Sequence, residues 1–162
     1  MKSMYRVLAA TLFAVVSVLA SLPASAGAMS DYLEGKLLDH VFKATAYSGP
    51  ATTYVGLSTT ACSDSSTGTE VTGGSYARVS VTSNGTNWTG PTGNNGTIAN
   101  GAAITFPAPT ANWGSVSHWF IADASSAGNV LVCASLTASK TINNGDAAPS
   151  FGVGAMTFQI DN

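Results

Sequence analysis

His118, within Val116-Ser117-His118-Trp119-Phe120, is the residue of this chain whose type most readily suggests proton transfer. A histidine titrates near neutral pH and can take up and return a proton, but catalysis needs a nucleophile or an orienting group within its reach. The sequence has no G-x-S-x-G elbow, no phosphate-binding loop and no dinucleotide fingerprint. Its carboxylates are scattered singly, with no pair spaced for acid and base work. Strand alternation puts His118 on the face of Val116 and Phe120, the setting of a structural histidine. Gly152-Val153-Gly154 precedes no helix, so close backbone approach in a strand explains it better than phosphate binding. The chain is expected not to be an enzyme.

Cys62 lies in a polar stretch and Cys133 in an apolar run, while His40 and His118 stand alone. None has C-x-x-C or H-x-x-x-H spacing, so no metal and no cofactor are expected. An even cysteine count permits a disulfide in an exported chain. The sequence alone favours one exposed and one buried thiol, since a domain of this size needs no staple.

The first residues read as a secretory leader. Lys2 and Arg6 form a positive start, Val7 to Leu22 is uncharged and apolar, and Ala24-Ser25-Ala26 supplies small residues for cleavage after Ala26. The apolar run is shorter than the roughly 20 residues of a bilayer-spanning helix and lacks a basic stop-transfer flank. Residues 1–26 are therefore expected to be a cleaved signal peptide and residues 27–162 a single β-rich domain, with no membrane attachment after cleavage. In that domain Lys36, Lys43, Arg78 and Lys140 face eight acidic residues, a net charge of −4. So few basic groups give no electrostatic footprint for nucleic acid.

One segment has helical period. Leu33, Leu37, Leu38, Val41 and Phe42 share a face, Ser30 or Asp31 can cap the start, and Gly49-Pro50 forbids continuation. A helix over about Asp31 to Thr45 is expected, packed by that face on the chain's own core, with docking into a neighbour's groove as the alternative. Thr52 to Thr59, Tyr76 to Thr82, Ala102 to Phe106, Val116 to Ala122, Asn129 to Leu136 and Gly152 to Ile160 are short, β-branched or aromatic, and bounded by turn residues. Asp123 to Gly128 reads as a hairpin link and Thr137 to Asp146 as a further connection. The fold class is mainly β: an antiparallel β-sandwich or barrel of about six to eight short strands with one N-terminal amphipathic helix.

Thr82 to Gly101 is the longest stretch of Gly, Asn and Thr. It reads as a surface hairpin tip, or as an excursion ordered against a neighbour, and its N-x-[ST] triplets at Asn84, Asn87 and Asn95 follow from composition. Trp88, Asn87, Asn94 and Asn95 are its candidates for surface contact.

The runs MSDYLEGKLLDHVFKATAYSGPATTYVGLSTTA, EVTGGSYARVSVT and AAITFPAPTANWGSVSHWFIADASSAGNVLVCASLTASKTINNGD resemble a family of small bacteriophage virion proteins of the tail-fibre-like kind. The resemblance runs from Met29 to the C-terminus. Its most distinctive pieces are the opening helix, Tyr54-Val55-Gly56-Leu57, Glu70-Val71-x-Gly73-Gly74-x-Tyr76-Ala77-Arg78, and Phe106-Pro107 followed by Trp113-Gly114. It implies a virion structural subunit, tail-fibre-like or capsid-decoration-like, with copies of itself and other virion proteins as partners and a host-surface glycan as a further one. The family pattern does not require the first 28 residues. A used export signal, an upstream start and a secretion fusion all account for them, and the order of positive, apolar and small regions favours the signal. Location is thus the virion by resemblance, and the periplasm or medium if the signal is used. The rival reading is a secreted carbohydrate-binding β-sandwich module with Trp88 as its stacking platform.

Overall fold

The structure, a computed structural model, describes residues 21–22, 24, 27–93 and 96–159. The leader's positive start and most of its apolar run lie outside these residues, as do Asn94 and Asn95. Ten strands and one helix follow in order: β1 (Ala28–Met29), α1 (Asp31–Phe42), β2 (Thr52–Ser58), β3 (Val79–Thr82), β4 (Trp88–Thr92), β5 (Thr97–Asn100), β6 (Ile104–Thr105), β7 (Gly114–Ala122), β8 (Val130–Ile142), β9 (Ser150–Phe151) and β10 (Thr157–Phe158). The strands form three antiparallel sheets, ordered β1-β8-β7-β2-β3, β10-β5-β4 and β6-β9. The arrangement is mainly β and sandwich-like, without a closed barrel.

The core lies against one face of the five-stranded sheet. Val55, Leu57, Val116, Trp119, Ile121 and Val132 project into it and meet Phe106, Phe151 and Met156 from the smaller sheets' side. Phe120, Ala122 and Val130 pack on the opposite face. Strand alternation explains this split, with two departures in the β7–β8 ladder, one between Ile121 and Ala122 and a larger one between Val116 and His118. Between Val116↔Lys140 and His118↔Ser135, the four β8 residues 136–139 oppose the single β7 residue Ser117. The irregularity moves Val116 onto the face of Trp119 and Ile121, so His118 shares a side with Phe120 but not with Val116. It also explains why Thr137 to Ile142 does not read as strand: β8 runs on through the bulge instead of ending at Leu136.

Cys62 and Cys133 are joined, with Cα atoms 6.0 Å apart, so the expectation of two free thiols is corrected. The β7–β8 pairing sets Cys133 opposite Phe120, and Cys62 Sγ lies 3.6 Å from the neighbouring Trp119 carbonyl oxygen, a relation that spans 71 residues and that no local pattern encodes.

Candidate functional site

α1 begins where the sequence places it. The Ser30 hydroxyl accepts from the Leu33 N–H at 3.2 Å and donates to the Val130 carbonyl, while the Ser30 N–H donates to the Leu131 carbonyl at 3.0 Å. One buried serine therefore caps the helix and ties it to β8. At the other end the Lys43 and Thr45 N–H groups both reach the Asp39 carbonyl, and Ala44 takes a positive φ of 54°.

Packing on the chain's own core stops after the first turn. Tyr32 and Leu33 are half-buried against the core, and no residue of α1 is fully buried. Leu37 is partly exposed, while Leu38, Val41 and Phe42 are 57%, 65% and 79% exposed. The expectation that the whole apolar face packs on its own domain is corrected: a short N-terminal anchor holds up a helix whose distal apolar side faces solvent. Lys43 pairs with Asp39 at 2.7 Å along this exposed half.

The chain returning from α1 borders an open apolar cleft of about 450 Å³. Leu33, Tyr47, Pro50, Trp88, Phe158 and the buried Ile121 of β7 line it. Trp88 meets Phe158 edge to face, with centroids 5.7 Å apart. It is half-buried in the cleft wall rather than displayed as a flat platform. Asn87 is spoken for: its amide donates to the Thr82 carbonyl at 3.1 Å and its N–H to Asn84 Oδ1 at 2.9 Å. The Thr82 to Gly101 stretch is therefore built largely as the β4–β5 hairpin, paired through β5 to β10. Asn100 locks its end. Fully buried, its side chain donates to the carbonyls of Ala102 and Gly152 and accepts from the Met156 N–H, at 2.7–2.8 Å.

A second cluster, not singled out as functional by sequence reasoning, runs from the core at Tyr76 and Trp113 to Phe120 on the other face of the sheet. Glu70 takes two parallel bonds from Arg78, whose Nη1 donates to the carbonyls of Ala124 and Ala127 at 2.7 and 2.8 Å. The guanidinium also lies 4.9 Å from the Phe120 ring centroid. Phe120 in turn covers Gly56, where a Cβ would stand 2.2 Å from the ring. The Tyr76 hydroxyl donates to Glu70 at 3.0 Å and accepts from the Leu57 N–H at 2.8 Å. Gly74, with φ 53°, passes so close to Trp113 that its carbonyl accepts from the indole N–H at 2.9 Å. This network ties the end of β2 to the β7–β8 turn; every polar partner is internal, as suits a structural clamp. His118 Nδ1 lies 2.9 Å from its neighbour Ser117 Oγ, between Ser58 and Ser135 across the ladders.

The pieces Tyr54 to Leu57, Glu70 to Arg78 and Trp113-Gly114 thus converge on one assembly. A family model described as Podophage GP4 fiber I protein gp80 matches residues 28–159. The chain belongs to this family. Membership in the gp80 fibre family makes it a virion structural protein, associated with other virion proteins. No curated protein matches the sequence. Among the described residues no helix is long and apolar enough to cross a membrane. The gp80 match covers the clamp, the cleft and α1 alike.

Proposed function

We propose that this gp80-family chain is a non-enzymatic fibre subunit that assembles with copies of itself through the distal apolar face of α1, presenting the β-domain as the body of the fibre. The observation that carries the reading is the exposure of Leu38, Val41 and Phe42 on a helix held only by its first turn. Such a face loses solvent-exposed apolar area when copies meet, and repetition along a particle multiplies a modest contact into a durable one. A cyclic arrangement would bring several such helices together around one axis.

Attachment to a host-surface glycan is the second function proposed, through the cleft beside Trp88 rather than through Asn87, whose amide is already engaged. Export rests on the charge, apolar run and small-residue order of residues 1–26, and the Cys62–Cys133 bond suits an oxidising compartment. Light scattering of the purified chain over a range of concentrations, with mass spectrometry of purified virions, tests the assembly reading. Concentration-dependent multimers and presence in the particle are expected. A strict monomer absent from any particle, binding a soluble glycan, would instead favour the secreted carbohydrate-binding module.

A further inference from the structure

Ser21, Leu22 and Ala24 belong to the segment expected to leave with the leader, yet they are built into the domain. Leu22 is 1% exposed, in the same cluster as Trp119, Leu136 and Phe151. Its N–H donates to the Ser150 carbonyl at 2.8 Å, Ser21 bridges Ser150 in parallel, and Ala24 bridges Leu136 antiparallel, beside the β8 bulge. Gly27 is buried. Its N–H donates to Thr157 at 2.8 Å and its carbonyl accepts from Gln159 at 3.3 Å. A Cβ there would stand 2.6 Å from Val132 Cγ1 and 3.1 Å from Trp119 Cη2. Ala28 and Met29 then pair with Cys133 and Val132. The described residues from Ser21 to Met29 therefore touch all three sheets: β9 through Ser150, β10 through Thr157 and Phe158, and the large sheet through β8.

We propose that the groove running from Ser150 past Leu136 to Thr157 is an acceptor site whose occupants are this chain's own Ser21, Leu22 and Ala24, so that residues at the end of the leader double as part of the domain. The groove's chemistry matches those occupants: a deep apolar seat for one leucine, small-residue spacing at Ala24, and backbone partners at its ends. Folding and processing then compete. A peptidase must read an extended backbone across the bond it cuts, and the Ala26–Gly27 bond carries a Gly27 that is buried with both backbone polar groups engaged. Cleavage after Ala26 must precede folding, and it leaves the Leu22 seat empty; a chain that folds first keeps its leader end. The inference rests on the placement of Ser21, Leu22, Ala24 and Gly27 and does not depend on the fibre reading.

The test uses the intact chain made by cell-free synthesis, so that export does not intervene. Leu22→Ala and Leu22→Asp are compared with Leu12→Asp, a change in the upstream apolar run. Both Leu22 variants are expected to melt lower than the parent, by about 5 °C or more, and Leu12→Asp to melt with it. In the parent, hydrogen exchange should show the Gly27 amide protected to the same degree as that of Met29, and in Leu22→Asp that protection should fall at least tenfold. Leu22 variants that melt with the parent, or a Gly27 amide that exchanges at the rate of an unfolded chain, would overturn the proposal. An export assay on Leu12→Asp reads the leader's targeting role separately, and loss of oligomers would bear only on the fibre reading.

Discussion

Glu70 and Arg78 face each other across a two-pronged bridge, Oε2 to Nη2 at 2.7 Å and Oε1 to Nε at 2.8 Å, with the Arg78 side chain 3% exposed. Removing the carboxylate would leave the guanidinium buried with only the Ala124 and Ala127 carbonyls as partners. Breaking one side of a buried pair costs about 3–5 kcal/mol. Glu70→Ala should therefore lower the free energy of unfolding in urea by about that amount. Arg78→Lys should also destabilise, because an ammonium cannot span both the carboxylate fork and the two turn carbonyls. A Glu70→Ala chain with unchanged stability would mean that the clamp contributes nothing to the fold.

Tyr76 links that bridge to β2, and it gives the protein an alkaline limit. Burial, chiefly, raises its hydroxyl pKa well above the ordinary tyrosine value, the nearby Glu70 carboxylate adds to the rise, and the Leu57 N–H opposes it. Above pH of about 10 the unfolded chain releases this proton while the folded chain holds it. The folded state then binds more protons, so stability present below pH 10 falls as pH rises toward the native pKa. Tyr76→Phe should flatten this part of the stability profile between pH 9.5 and 11.5, with the two chains' curves converging as pH rises, measured by urea unfolding at about half-unit steps. Parallel curves would remove Tyr76 as the titrating group.

The Cys62–Cys133 bond closes a 71-residue separation and pins the loop before Glu70 to β8. Loop-closure entropy over that length corresponds to about 4 kcal/mol. Reduction, or Cys62→Ser with Cys133→Ala, should lower the melting temperature by about 10 °C or more for a domain of this size. An unchanged melting point in reductant would show that the bond adds no stability.

What could be read from the chain depended on how local the cause was. The start of α1 is written in Ser30 and Asp31, and β2 and β7 in their apolar, β-branched and aromatic residues. The rest of β8 was hidden because its bulge breaks the period of two. The β4–β5 hairpin reads only as a hairpin tip or an excursion ordered against a neighbour, because Thr, Gly and Asn carry no apolar alternation. Its closing residue, Asn100, is buried by three hydrogen bonds that come from distant carbonyls and an N–H. Helical period groups Leu33, Leu37, Leu38, Val41 and Phe42, but period says only which residues share a face. What that face meets is set by where β8 begins, at the Val130 and Leu131 carbonyls that hold Ser30, and by where the chain turns at Ala44. The Glu70-Tyr76-Arg78 clamp was visible as a distinctive string, and its geometry needed the tertiary fold.

The exposed half of α1 yields the most direct test of assembly. Leu38→Gln with Phe42→Gln keeps helix propensity and avoids placing a negative charge at the helix C-terminus. Both positions are solvent-exposed within one domain, so the melting temperature of the isolated chain should stay within about 2 °C of the parent. If copies meet through this face, losing the two apolar side chains removes about 3 kcal/mol of contact and raises the dissociation constant about a hundredfold. Leu33→Gln supplies the contrast: this residue lies against the core, so it should lower stability whatever the state of assembly. Sedimentation velocity across a concentration series, paired with thermal melts, separates the two effects. A double variant that associates like the parent would place the fibre contact elsewhere on the domain.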